Sequence, residues 1–296
     1  MNKSFYEATV LSSRYLTPGM LRLTFGGEGL KGFPGTGRPD EYVRLFFPNE
    51  TTGRLHLPHI DEQGRWTYPD GGQGAIRCST YTIRNIRQDI GELDIDYVVH
   101  EGGLASDWAK GAKRGDVVTL NCPHGLYDPP ADTAWQLLLC DATGLPALSR
   151  ILENTPQDLQ SRVFVEIAQA SHRQSLPPHP NATVTWLDGS GNGVAASQLG
   201  AVMHAVPIPA TPGYIWVAGE QKVVRAIRKY VRHQLKMPAE RYQLVGYWID
   251  GGEAWDARWD AVPAEVKTAI EAGWSSGRDP ELVRDEYDAT LEKFGL

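Results

Sequence analysis

Near residue 130 the chain changes the rule by which it spaces its apolar residues, and this change constrains the fold more than any other feature. Before it, strand-length stretches follow one another: 5–14 and 20–26, split by Thr17-Pro18-Gly19; 41–47, closed by Pro48; 80–86 and 93–100, joined through Asp89-Ile90-Gly91; then 117–120. In Leu93-Asp94-Ile95-Asp96-Tyr97 apolar and acidic residues alternate, the period of a half-buried strand. Short strands at regular spacing with turn residues between them predict a small antiparallel β-barrel. One helix, 105–112, ended by Arg114-Gly115, interrupts the series. Beyond Pro129-Pro130-Ala131-Asp132 strands alternate with helices: strand 136–140, helix 145–154, strands 163–168 and 184–187, strand 214–218, helix 221–236 and strand 244–248. That alternation predicts a parallel α/β sheet. After Gly251-Gly252 the chain reads as helix over 255–261, 264–272 and 280–294. The expected architecture is α+β with two domains: a barrel over 1–130, an α/β domain over 131–250, and an acidic helical extension over 251–296.

Composition narrows the function classes. With 296 residues, 41% hydrophobic and 22% charged, the chain is too apolar for a disordered protein and long enough for two cores. Its apolar runs fall far short of the ~20 residues of a membrane span. Residues 1–20 lack the apolar stretch of a signal peptide, and Cys78, Cys122 and Cys140 lack Cys-x-x-Cys spacing. A cytoplasmic protein with reduced thiols and no protein-bound metal is expected. The net charge of −7 argues against nucleic acid as a partner, and at first against anionic ligands. That charge is unevenly spread. Residues 250–296 carry 12 acids and 5 bases, whereas residues 1–249 carry 24 of each.

Three stretches could carry chemistry. Ser79-Thr80-Tyr81-Thr82-Ile83-Arg84 offers a ring to stack on a planar ligand, hydroxyls for its edge and an arginine for a phosphate; the alternative is a plain strand with surface arginines. His100-Glu101-Gly102-Gly103-Leu104-Ala105-Ser106 leads from a strand through two glycines into a helix, whose free N–H groups suit an anion; the alternative is a turn capped by Ser106. Asp141-Ala142-Thr143-Gly144-Leu145-Pro146 stands at the carboxyl end of a strand, where open α/β sheets bind ligands; the alternative is a helix start without a ligand.

In this order, with Trp216-Val217-Ala218-Gly219-Glu220 and Gly246-Tyr247-Trp248, these stretches resemble the siderophore-interacting protein family, flavin-dependent ferric-siderophore reductases of the ferredoxin–NADP reductase superfamily. The resemblance spans about residues 5–250. It implies an FAD on the barrel domain and NADPH (or NADH) on the α/β domain. By it, Tyr81 stacks on the flavin, and Thr80 and Thr82 lie at the ring edge. Arg84 and the amides of Gly102, Gly103, Leu104, Ala105 and Ser106 meet the pyrophosphate, and His100 lies on the ribityl or adenine side. Thr143, Gly219 and Glu220 face the nicotinamide crevice. Ser171 and Arg173, after the second α/β strand, mildly favour the 2′-phosphate of NADPH over NADH; the alternative is a polar loop without a role. The substrate is a ferric siderophore, ferredoxin is an alternative electron donor, and the chain is expected to act as a monomer. No side chain acts as catalyst in its own right, because the flavin couples hydride to one-electron chemistry.

The chain departs from the family pattern at three places. Ser79 replaces an arginine; Arg77 stands two residues earlier, on the same strand face. His124 replaces an arginine in Cys122-Pro123-His124-Gly125, and Ile249 follows Gly246-Tyr247-Trp248 where a base is usual. With Arg44, His124 and Lys222 as the remaining substrate-side cations, a less charged hydroxamate or mixed chelate is favoured over a triscatecholate. Other readings are a general flavin or quinone reductase and a colourless siderophore carrier.

Three weaker features remain. The basic run of Lys222, Arg225, Arg228, Lys229, Arg232, Lys236 and Arg241, opposed nearby only by Glu240, reads as a solvated face or an anion-steering surface. Gly189-Ser190-Gly191-Asn192-Gly193 reads as a flexible loop, and Trp255, Trp259 and Trp274 as anchors of the tail on the body.

Overall fold

The structure is a computed structural model that describes residues 4–61, 66–68 and 72–296. The first domain is a closed barrel. Its strands are β1 (Phe5–Thr17), β2 (Met20–Gly26), β3 (Tyr42–Phe47), β6 (Arg77–Arg87), β7 (Glu92–Val98) and β8 (Val117–Asn121), in the order β1-β2-β7-β6-β3-β8. A two-stranded hairpin, β4 (His59–Ile60) with β5 (Trp66–Thr67), stands outside it. Alternation decides which residues point inward. Leu21, Leu23 and Phe25 of β2 meet Leu93, Ile95 and Tyr97 of β7 in the core. The intervening acids are buried too, but paired: Arg22 donates twice to Asp96, its direct cross-strand neighbour, at 2.6 and 2.7 Å. Helix α1 (Leu104–Gly111) packs Ala105, Ala109 and Trp108 against the core.

The second domain is a five-stranded parallel sheet in the order β11-β10-β9-β12-β13. It comprises β9 (Trp135–Cys140), α2 (Leu145–Asn154), β10 (Gln160–Ile167), β11 (Ala182–Asp188), α3 (Leu199–Ala205), β12 (Gly213–Glu220), α4 (Gln221–Lys229) and β13 (Tyr242–Trp248). The central β9 is buried throughout, which is why Trp-Gln-Leu-Leu-Leu-Cys shows a run rather than an alternation. Helix α2 covers one face of the sheet; α3 and α4 cover the other. Helix α3, absent from the sequence reading, is only seven residues long and has no side-chain cap. The expected helix to 236 is α-helical only to Lys229 and continues as one π turn, Tyr230–Gln234.

Helix α2 also binds the barrel. Arg150 donates to Glu41 Oε1 at 2.8 Å and to the Ile83 carbonyl at 2.7 Å, and Arg84 pairs with Glu153 at 2.6 Å. This fixes the two domains around the strand that carries Tyr81 and Thr82.

The tail forms α5 (Gly252–Asp260), α6 (Ala264–Trp274) and α7 (Pro280–Lys293). Its tryptophans do not anchor it to the body as expected. Trp255 and Trp259 stack on each other at 5.6 Å within a small core of the tail itself, beside Val262, Leu291 and Leu296. Charge makes the connection to the body. Arg228 of α4, with 4% of its side chain exposed, meets Glu281, Asp285 and Asp288 of α7; Arg232 meets Asp285 and Lys229 meets Glu292. The basic helix is therefore neither solvated nor open to ligands along this face. It is covered by the acids of its own chain.

Candidate functional site

A cleft of about 710 Å³ opens between the domains, within the size range of small-molecule and cofactor sites. Three elements build its barrel wall. Strand β6 contributes Ser79, Thr80, Tyr81 and Thr82, β3 contributes Tyr42 and Arg44, and the turn from β7 into α1 contributes His100 and 103–106. The opposite wall comes from the carboxyl edge of the sheet: Thr143 and Pro146 after β9, Asn192 after β11, and 245–249 at the end of β13.

Tyr81 lies 4.5 Å from Tyr97, centroid to centroid, and burial pushes its phenol up to about 12, so it stays neutral. The Thr82 hydroxyl is buried, faces Tyr247 and has no well-aligned hydrogen-bond partner. At the other end, the N-terminus of α1 has no side-chain cap. Ser106, the expected cap, turns instead to the His100 carbonyl at 2.9 Å. The imidazole of His100 lies over Gly103: a Cβ there would stand 2.2 Å from His100 Cε1, so only glycine allows this contact. A buried hydroxyl met only by the phenol of Tyr247, an aromatic face and an uncapped helix start thus line one elongated cavity. This donor set fits FAD, with its planar ring, polar ring edge and diphosphate.

On the sheet side Asp141 is buried, accepting from Thr143 N at 2.8 Å, Thr143 Oγ1 at 2.6 Å and Trp248 Nε1 at 2.6 Å. Burial pushes its carboxyl up, against the pull of those donors. Asp141 thereby fixes both Thr143 and the indole of Trp248 in the cleft wall. Asn192 accepts from the Ala142 amide at 3.0 Å, and Gly191 has no room for a Cβ beside Glu166. The glycine-rich loop read as flexible is a fitted part of the wall.

Of the residues given a cofactor or substrate role from the sequence, Arg44, Thr80, Tyr81, Thr82, His100, Gly103, Leu104, Ala105, Ser106 and Thr143 meet in the cleft. The others lie outside its lining. Arg77 pairs with Glu50 at 2.8 Å, and Arg84 with Glu153 across the domain boundary. Gly102 supplies a left-handed turn before α1, with φ +76°. His124 bridges by its backbone to Tyr42, and burial, then Arg44, hold its imidazole below the ordinary range. Ser171 is exposed, and Arg173 is bonded to Asp188. Gly219 gives way to Asp141; Glu220 caps α4 through the Val223 amide, and Lys222 is exposed two residues on. The sequence reading gave no site role to Tyr247, Trp248 or Asn192. Gly246-Tyr247-Trp248 at a strand's carboxyl end carried the needed signal.

The profile of the siderophore-interacting protein family matches residues 133–251, and that of the siderophore-interacting FAD-binding domain matches residues 9–127. The NADPH-dependent ferric-chelate reductase of Escherichia coli K12 is 32% identical over 82% of this chain and 92% of its own length. Ferric vibriobactin reductase of Vibrio cholerae is 33% identical over 80% and 87%. Among solved structures, a siderophore utilization protein from T. fusca superposes with a TM-score of 0.74 at 30% identity, covering 83% of this chain and 93% of that one. The chain belongs to the siderophore-interacting protein family, and its barrel is that family's FAD-binding domain.

Proposed function

We propose that this protein is a ferric-siderophore reductase that takes electrons from NADPH and delivers them, at its FAD site, to siderophore-bound Fe(III), releasing Fe(II). The observation that carries the reading is the cleft in which Tyr81, the buried Thr82 hydroxyl and the uncapped start of α1 face the sheet edge of the second domain. When bound, FAD supplies the exchange between a two-electron hydride donor and a one-electron acceptor. The chain supplies position. Tyr81 offers its face to the ring, Thr80 and Thr82 offer hydroxyls to the ring edge, and the amides of 103–106 receive the diphosphate. Thr143 and Trp248, both held by Asp141, shape the space that a nicotinamide must enter. Arg44, with His124 close by, offers the positive charge for an anionic chelate.

The names of the Escherichia coli and Vibrio cholerae relatives support the reductase, and that of the Escherichia coli relative supports the choice of NADPH. Ferredoxin as donor is less favoured, because the basic face of α4 that could dock an acidic protein is occupied by α7. No described helix is long and apolar enough to cross a membrane, and we place the protein in the cytoplasm as a monomer.

The test is direct. Purified protein should show flavin absorbance bands. Under anaerobic conditions with NADPH and a ferric trihydroxamate it should produce Fe(II) captured by a ferrous chelator. A colourless protein that takes up no added FAD refutes the reading and leaves a carrier. Equal turnover of quinones and ferric chelates turns it into a general reductase.

A further inference from the structure

Strand β3 has two unlike faces. Val43, Leu45 and Phe47 point into the barrel core. Tyr42, Arg44 and Phe46 alternate with them and point outward. Two rings cover that outer face. His124 lies beside Tyr42, 5.9 Å between centroids, and Trp66 of the β4–β5 hairpin covers the rest. The Trp66 ring stands 5.7 Å from that of Phe46, and the Arg44 guanidinium lies 4.5 Å over it. Phe46 is buried and meets Phe5 edge-on at 5.4 Å, so the indole rests on a packed base. The hairpin that stands outside the barrel thus has one clear attachment to the cleft, the stack of Trp66 on Arg44.

Arg44 is held unlike the other arginines of the barrel wall. Arg22, Arg77 and Arg84 are each spent on an acid, Asp96, Glu50 and Glu153. No described acid bridges Arg44. It lines the cleft beside its cross-strand neighbour Thr80, and it is the only lysine or arginine among the described lining residues. Its amide donates to Asn121 Oδ1 at 2.7 Å, which ties the strand beneath it to β8. A guanidinium held on an indole is positioned without being neutralised. A carboxylate in that place would cancel the charge and occupy the N–H donors. The ring leaves the charge in force and its N–H groups open to oxygen acceptors, and it removes in advance the rotamer freedom that a long side chain loses on binding.

We infer that Trp66 is a positioning residue that presents the Arg44 guanidinium to the substrate, so that the hairpin outside the barrel sets how tightly the cleft holds an anionic chelate and leaves its hold on an uncharged one unchanged. This rests on the reductase reading of the cleft and deepens it, by naming the contact that selects chelate charge.

The test uses the full-length, FAD-loaded protein and two probes, a trianionic ferric triscatecholate and an uncharged ferric trihydroxamate, each titrated by calorimetry. Trp66→Leu should weaken binding of the triscatecholate about fivefold, the worth of one partly exposed cation–π contact, and leave the trihydroxamate within about twofold. Trp66→Phe, which keeps an aromatic face, should restore most of the loss. Arg44→Gln should weaken the triscatecholate at least as much, and adding Trp66→Leu to it should cost nothing more, because the indole acts only through the guanidinium. Circular dichroism checks that each variant is folded. Four results each overturn the inference: triscatecholate affinity unmoved by Trp66→Leu, an equal loss for both chelates, full additivity in the double variant, or no binding of the triscatecholate by the unaltered protein. The reductase reading survives any of these so long as NADPH yields Fe(II) from either chelate; Fe(II) from neither overturns both.

Discussion

Replacing Arg150 by methionine tests whether the domains are held in register by the buried bridge to the barrel. Glu41 is 2% exposed at its side chain and Arg150 13%. Without the guanidinium, Oε1 of Glu41 loses its donor, while Oε2 keeps Thr36 N at 2.7 Å and Thr36 Oγ1 at 2.8 Å. Stripping one partner from a buried pair costs about 3–5 kcal/mol, and the two surviving bonds place this case near 3. The lost bond to the Ile83 carbonyl adds about 1 kcal/mol. Glu41→Gln alone keeps a neutral hydrogen bond and should cost about 1–2 kcal/mol. In the double variant no buried charge is left unpaired, so the total should fall short of the sum by about 2 kcal/mol. Urea denaturation followed by far-ultraviolet circular dichroism measures all three. Because Ile83 adjoins Thr82, Arg150→Met should also slow reduction of bound flavin by NADPH about tenfold, a geometric effect at the crevice. Costs that add to within about 0.5 kcal/mol would refute the coupling and reduce Arg150 to a surface-like contact.

Thr82→Val should leave stability unchanged or raise it slightly, since the buried hydroxyl has no well-aligned partner, yet shift the absorbance of bound flavin and slow its reduction; an unchanged spectrum and rate would remove Thr82 from the ring edge. Arg228→Met should release α7, with the tail cut by protease about tenfold faster, while KM for NADPH stays within about twofold because no residue of 251–296 lines the cleft. Burial pushes the Asp285 carboxyl up, but its bonds to Arg232 and Arg228 hold it below the ordinary 3.8. Its contribution to docking is therefore complete at neutral pH and is lost as pH falls through that lowered value; proteolysis of the tail against pH reads it. Asp188→Asn should free Arg173 for a 2′-phosphate and raise the kcat/KM preference for NADPH over NADH about fivefold; an unmoved ratio places Arg173 outside the nucleotide site.

Much of this molecule is legible in its sequence because periodicity and turn chemistry are local. The barrel strands announce themselves by alternation at 93–97, and the sheet by the buried run of β9. The ring-facing and helix-start parts of the cleft lie within two short segments, so 79–82 and 100–106 can be found without a structure. What sequence hides is which charges are already taken. Arg84 and Glu153 are 69 residues apart, and only the docking of α2 on the barrel makes them a pair. Arg228 and Asp285 are 57 apart, and the same gap concealed the fate of the whole basic helix. The loop at 189–193 was misjudged for another reason. Its glycines have positive φ, which a sequence reader takes for freedom, but Gly191 is required by the carboxylate of Glu166 beside it.

The layer order gives the acidic tail an electrical meaning. From one side to the other run the barrel, α2, the sheet, α4 and finally α7, so the tail is the layer farthest from the barrel. The excess of acids over bases in 250–296 equals the net charge of the whole chain, −7, but the six bases of 221–236 lie directly beneath it, so the two layers together carry only −1. The tail is a counter-charge for α4, and an anion approaching that side meets little net field. Dissolved salt, which cuts the reach of exposed charges to about 8 Å at physiological strength, weakens the exposed Lys229–Glu292 pair before the buried contacts of Arg228.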